Sequence, residues 1–235
     1  MEVNEGFIVG VYNYCDRWCE RCAFTSRCQL FADSAKYDAL AAGALKAIAE
    51  AAPHPSDVRE VPAWLEAILA GFDSDETSLE KIPDPDPLPP ALADIVERAH
   101  DYRRDVRHWF AAKHDDGHRD HDDPLATIGW FSTLLSAKIY RAITGLSDFD
   151  GDREFPPDHE GSCKVALLGI DRSIAAWRDV VALRTAAAED VAPFIQALER
   201  LRADLQHAMP RALAFVRPGF DEPEEVRKLE ASDWS

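Results

Sequence analysis

Apolar residues recur along the C-terminal part of this chain at three- and four-residue intervals, the spacing that puts them on one face of an α-helix. From Pro90 to Lys113 the stripe is Leu92, Ile95, Ala99, Tyr102, Val106, Trp109 and Phe110. From Ala192 to Val216 it is Phe194, Leu198, Leu201, Leu205, Met209, Ala212 and Val216, with Pro210 expected to kink the helix. Two segments between them, Pro124 to Thr144 and Gly161 to Leu183, are apolar around nearly their whole circumference, which predicts central helices. Both are rich in small residues, Gly129, Ser132, Ser136 and Ala137 on one and Ser162, Ala166, Gly169 and Ser173 on the other. Close backbone approach between this pair is expected.

Breakers divide the N-terminal part. An alanine-rich helix over 33–52, capped by Asp33 or Ser34, should stop at Pro53-His54-Pro55. A shorter one, from Ser56 to Gly71, has Trp64, Leu65, Ile68 and Leu69 as its apolar side. From Asp73 to Pro90 the chain is acidic and carries Pro83, Pro85, Pro87, Pro89 and Pro90, a composition that reads as a linker. Only Phe7 to Val11 has the character of a strand. The fold class that follows is all-α: an antiparallel bundle of about four long helices with extra short helices and a cysteine-rich N-terminal segment. The expected divisions are a segment 1–32 packed on the body, helices over 33–72, a linker 73–90, the bundle 91–220 and an acidic tail 221–235.

Charge narrows the choice of partner. Forty-three acidic against 26 basic side chains give a formal charge of −17, a mean field that repels phosphate backbones and anionic lipid heads. Neither nucleic acid nor membrane is expected as a partner, and a protein partner is. Glu2 and Glu5 precede a short apolar run, without the basic start of a signal peptide, and no stretch reaches the length of a spanning helix. A cytoplasmic, thiol-reducing setting is therefore expected.

That setting gives meaning to the cysteines. Cys15, Cys19, Cys22 and Cys28 lie within fourteen residues as C-x3-C-x2-C-x5-C. Close thiols in a reducing compartment mark a metal site more often than disulfides. A segment this short does not fold alone, and metal–thiolate bonds supply the missing stabilisation. Two fillings fit, a [4Fe-4S] cluster or a tetrahedral zinc, and the tight run of ligands suits the cluster somewhat better, since only Cys19 and Cys22 form a zinc-type knuckle. Arg17, Arg21 and Arg27 interleave with the ligands and offset thiolate charge, while Trp18 and Phe24 anchor the segment.

The first three cysteines have a spacing similar to that of radical S-adenosylmethionine enzymes, over eight residues. That family carries an aromatic before the third cysteine and a partial α/β barrel after it, whereas here Arg21 precedes Cys22 and helices follow. Cys28 as a fourth ligand would close the open iron position that such chemistry needs. The family's activity is therefore not expected here.

Weaker candidates lie elsewhere. The loop His114 to Asp123 offers His118 and His121 as a second metal site, or simply a solvated turn in which Asp122 or Asp123 caps the next helix. Glu97-x-x-His100 and Asp204-x-x-His207 resemble di-metal pairs, but Glu97 and His207 point away from their apolar stripes, so solvated charges are expected. Inside the central helices, Lys138 and Asp171 sit among apolar neighbours, so Asp171 is expected buried beside a cation, as a structural ion pair that fixes helix register or, alternatively, as part of a small-molecule pocket framed by Lys138, Tyr140, Asp171 and Ser173. Cys163 reads as a packed thiol, with His159 the nearest possible base. No catalytic motif emerges. The functions that remain are a metal-binding protein acting by partner binding or redox sensing, and an oxidoreductase or electron-transfer component using a [4Fe-4S] cluster.

Overall fold

The computed structural model describes residues 3–4, 6–51, 87–113, 123–147, 158–183 and 186–222, and among them the fold is all-α apart from one minimal hairpin. In that hairpin β1 (Val3–Asn4) pairs antiparallel with β2 (Phe7–Ile8), in the register Val3 to Ile8 and Asn4 to Phe7. Gly6, at φ 86°, takes the left-handed conformation that the turn requires. The chain forms two compact units: Met1–Cys28 together with Leu88–Ser235, and Gln29–Pro87. The expected helix over 56–71, most of the linker, the loop 114–122 carrying His118 and His121, and the tail from residue 223 lie outside the described residues.

In the smaller unit, α1 runs Gln29–Ala51. Asp33 is not its cap, as the sequence suggested, because its carboxylate accepts two hydrogen bonds from Gln29 Nε2, both 3.0 Å, from one turn earlier in the same helix.

In the larger unit, four long helices bury the apolar stripes: α2 (Pro90–Lys113), α3 (Pro124–Ser147), α4 (Asp158–Ala182) and α5 (Ala188–Ala208). Asp123 Oδ1 accepts from the Leu125 amide at 2.8 Å and supplies the expected cap to α3, with Pro124 at its first position. Each helix packs on two others, α2 on α3, α3 on α4, α4 on α5 and α5 on α2. Neighbours run in opposite directions. Arg98 meets Asp204 and Lys113 meets Asp190 across α2 and α5, while Gly169 meets Phe131 and Gly145 meets His159 across α3 and α4.

The α3–α4 seam is the most extensive of these contacts, as the apolar circumference of both helices requires. Ile128, Ile139, Ala142 and Ile143 on α3, and Ala166, Leu167, Ile170 and Trp177 on α4, have no exposed surface. The expected close approach occurs at Gly169, where a Cβ would stand 2.9 Å from Phe131 and 3.1 Å from Leu135. Not every small residue serves it: Gly129 faces Phe110 of α2, and Ala137 is exposed.

Two expectations need correction. Pro210 does not kink the last helix; it ends it. The residue before a proline is sterically driven out of the helical region, and Met209 caps α5 at φ −134°, ψ 72°. Val216 therefore leaves the stripe and is 59% exposed. Asp171 is not buried. It lies at the surface of α4 and binds Arg202 of α5 at 2.7 Å, because the face it occupies is the edge of the α4–α5 seam rather than the interior.

Beyond α5 the chain makes a 3₁₀ turn at Ala212–Ala214, and residues 215–222 then return across the start of α4 and the N-terminal hairpin. Gly219, at φ 77°, passes 3.2 Å from Ile8, measured from where its Cβ would be. Tyr14 packs on Phe215 at 4.8 Å and Phe24 on Phe220 at 4.9 Å. Asp221, assigned from sequence to a solvated tail, is instead held by Lys164 and Arg217, each at 2.8 Å. Burial alone would raise its carboxyl pKa, but hydrogen bonds from Arg217 and Lys164 override that and hold it well below the carboxylate range.

Gly161 sits where Tyr14 and Phe215 converge, and a Cβ there would lie 2.3 Å from one ring and 2.8 Å from the other. Gly161→Ala should cost about 1–3 kcal/mol by overpacking, whereas Gly43→Ala, with open space in α1, should be neutral or stabilising by up to about 1 kcal/mol; denaturant midpoints of the two variants decide it. Asp221 has a depressed folded pKa, so its contribution is present above the unfolded carboxyl pKa and is lost as pH falls through the folded value. Asp221→Asn should therefore be clearly less stable than the parent at pH 7, with the difference shrinking as the pH falls below about 4, as followed by thermal melts.

Candidate metal centre

The cysteine segment is built from short turns rather than from a helix or strand. After a 3₁₀ turn at Val11–Asn13, Cys15 lies with its thiol 3.5 Å from the Tyr12 carbonyl. Arg17 follows at φ 58°, a left-handed conformation costly for a non-glycine residue and sustained by what surrounds it. Two further 3₁₀ turns, Cys19–Arg21 and Thr25–Arg27, each end in an extended cysteine, Cys22 and Cys28. The Phe24 amide donates to Cys22 Sγ at 3.4 Å.

Three side chains fasten this segment to α3 and α4. Trp18, 5% exposed, stacks on Trp130 at 5.1 Å and meets Phe131 edge-on at 6.4 Å. Asp16 is gripped from both helices: Trp130 Nε1 donates to its carbonyl at 2.8 Å and Arg172 Nη1 to its carboxylate at 2.6 Å. Lys138 donates from Nζ to the Asn13 carbonyl at 2.7 Å. On the opposite side, Phe24 carries the segment onto Phe220 of the C-terminal return.

All four cysteines are half-buried, with free thiols. Burial raises the Cys15 thiol, opposed by hydrogen bonding and by the charges of Arg17 and Lys138. Burial also raises Cys19, and Cys15, Cys22 and Cys28 add to that shift, so all three other sulfurs lie within electrostatic reach of Cys19. Among the described residues no three His, Cys, Asp or Glu side chains are already drawn around a single ion. Protonated thiols do not attract one another, and convergence of four thiolates is what a cation supplies as their protons leave. The surroundings suit an anionic complex: Arg27 Nη2 is buried with no hydrogen-bond partner, Arg21 lies 4.5 Å above the Trp18 ring, and Lys138 stands beside Cys15.

The polar pocket expected from Lys138, Tyr140, Asp171 and Ser173 does not form. Lys138 is buried and turned to Asn13, Tyr140 is 49% exposed, Asp171 is on the surface, and Ser173 is buried with its hydroxyl donating to Gly169 O at 2.9 Å. On helices with several neighbours, apolar flanking residues do not fix which way a single charge points. Burial lowers the Lys138 ammonium to about 8, but its partner is a backbone carbonyl. Glu97 and His207 are exposed, while His100 Nδ1 meets Ser136 Oγ at 2.9 Å and Asp204 binds Arg98, as solvated and edge charges. Cys163 is fully buried, and desolvation pushes its thiol up to about 12, which leaves it inert at neutral pH. Sequence reasoning missed Trp130, Arg172 and Lys138 as anchors of the cysteine segment, because their partners lie more than a hundred residues away in the chain.

Among the described residues no helix is long and apolar enough to cross a membrane. The chain matches no protein-family model, no curated protein and no solved structure.

Removing the Asp16 carboxylate frees Arg172 and the Trp18 amide at once. Asp16→Ala should loosen the cysteine segment without unfolding the helices, seen as faster amide exchange over 11–28 while α3 and α4 keep their protection.

Proposed function

We propose that Cys15, Cys19, Cys22 and Cys28 hold a metal centre on an antiparallel four-helix bundle, and that the protein acts in the reducing cytoplasm by partner binding or redox sensing. The observation that carries this reading is four half-buried free thiols within fourteen residues, in a segment anchored from two helices. The filling we propose is a [4Fe-4S] cluster, with zinc on the same thiolates as the competing one. The tight run of ligands, in which only Cys19 and Cys22 form a zinc-type knuckle, favours the cluster. Either filling is a dianion with four thiolates, and the orphaned guanidinium nitrogen of Arg27 and the nearby Arg17, Arg21 and Lys138 provide counter-charge.

The role of the chain's own residues is positioning. Trp18, Asp16 and Lys138 hold the segment on the helices, the Phe24 amide donates to Cys22 Sγ, and the Phe24 ring ties the segment to Phe220. A bound cluster would supply one-electron chemistry. The stacking of Trp18, next to Cys19, on Trp130 favours a second reading, an electron-transfer component in which this aromatic pair faces the redox centre.

Elemental analysis with a visible spectrum, on protein purified without oxygen, tests the reading. About four iron and four sulfide per chain with a brown chromophore is the expected result. One zinc per chain in a colourless solution would remove both redox roles and leave a structural site, and absence of any stoichiometric metal would sink the proposal. Cys19→Ser should lower metal content and the unfolding midpoint together; a variant equal to the parent in both would show that the thiols are incidental.

A further inference from the structure

A cavity of about 430 Å³ lies between α2 and α5, on a part of the molecule that contributes nothing to the cysteine segment. Its floor is aromatic. Tyr102 and Trp109 on α2 each stand 6.4 Å, edge to face, from Phe194 on α5, and Phe194 is itself stacked on Trp177 at 4.5 Å. The hollow exists because α5 presents Pro193 and Ala197 to the seam, residues too small to fill the space opposite Trp109 and Tyr102. The floor is also rigid: Tyr102 is 2% exposed, and its hydroxyl accepts from Trp177 Nε1 at 3.1 Å. A volume of this size with apolar walls and a few polar groups is characteristic of small-molecule sites.

The charges at the rim are unequal in a way that specifies the ligand. Arg98 is matched by Asp94 and Asp204, Lys113 by Asp190, and Asp101 and Asp105 by Arg104. Arg200 alone of the charged lining residues has no ion-pair or hydrogen-bond partner among the described residues. In a protein of formal charge −17, an unmatched guanidinium at the mouth of an aromatic hollow stands out. Trp109 also has an indole N–H that is buried with no acceptor among the described residues, a group that is ordinarily satisfied.

We propose that this cavity binds a planar aromatic carboxylate, with its ring against Tyr102, Trp109 and Phe194 and its carboxylate on Arg200. Aromatic stacking and apolar burial supply the affinity, and the guanidinium fork selects a planar anion over a neutral molecule of the same shape. The site is independent of the metal centre, so neither stands or falls with the other.

The test titrates the whole chain, as purified, with 2-naphthoate and, separately, with 2-naphthalenemethanol, by calorimetry and by the indole N–H resonances, Trp109 being identified by Trp109→Phe. Saturable one-to-one binding of the carboxylate is expected, with a shift of the Trp109 resonance and the alcohol at least tenfold weaker. Arg200→Gln, an exposed position, should weaken the carboxylate about tenfold and leave the alcohol unchanged. Ala197→Leu should weaken both by filling the cavity. No saturable binding of 2-naphthoate, equal affinity for the alcohol, or an Arg200→Gln variant that binds as tightly as the parent would each overturn the proposal.

Discussion

The close contact of α3 with α4 is the constraint on which the rest of this molecule depends. It requires a glycine where Phe131 and Leu135 press on α4, and it brings Trp130, Lys138 and Arg172 to the side of the pair that the cysteine segment covers. That surface receives the cysteine segment. A widening of the seam would move the three anchors apart, and with them the Asn13 and Asp16 backbone that fixes where the cysteines lie.

Electrostatics at the site run against the average of the chain. The protein as a whole is strongly acidic, yet beside the Asp16 and Glu20 carboxylates the thiols have Arg17, Arg21, Arg27 and Lys138 in their own segment or against it. Local charge, at distances shorter than the screening length, decides the chemistry of a half-buried thiolate, while net charge governs only long-range encounter.

The C-terminal return gives the cysteine segment its second support. Phe24 lies between two of the cysteines in sequence and packs on Phe220, and one turn of chain joins Phe220 to the Lys164–Asp221–Arg217 ion pairs. These charges are mostly shielded, with side chains 13 to 20% exposed, so the pairing acts at a lower effective dielectric than the surface bridges elsewhere. Residues 215–222 therefore support the cysteine segment from the side opposite α3 and α4.

The sequence by itself determined what depends on local spacing. The period of Ile95, Ala99, Tyr102 and Val106 sets one face of α2, the apolar circumference of α3 and α4 makes them central, and the four cysteines mark the candidate site because thiols so crowded have few other uses. Tertiary structure decided what depends on partners distant in the chain. Asp171 went to the surface and Lys138 to the interior although both have apolar neighbours, since only the arrangement of adjacent helices says which side of a helix is covered. Asp221, in a run of acids that reads as solvated, became an internal ion-pair partner because the chain after Met209 turns back rather than continuing the helix. The hollow between α2 and α5 had no local signature at all, because a cavity is a property of two surfaces and its small residues, Pro193 and Ala197, leave space only opposite the aromatics of another helix.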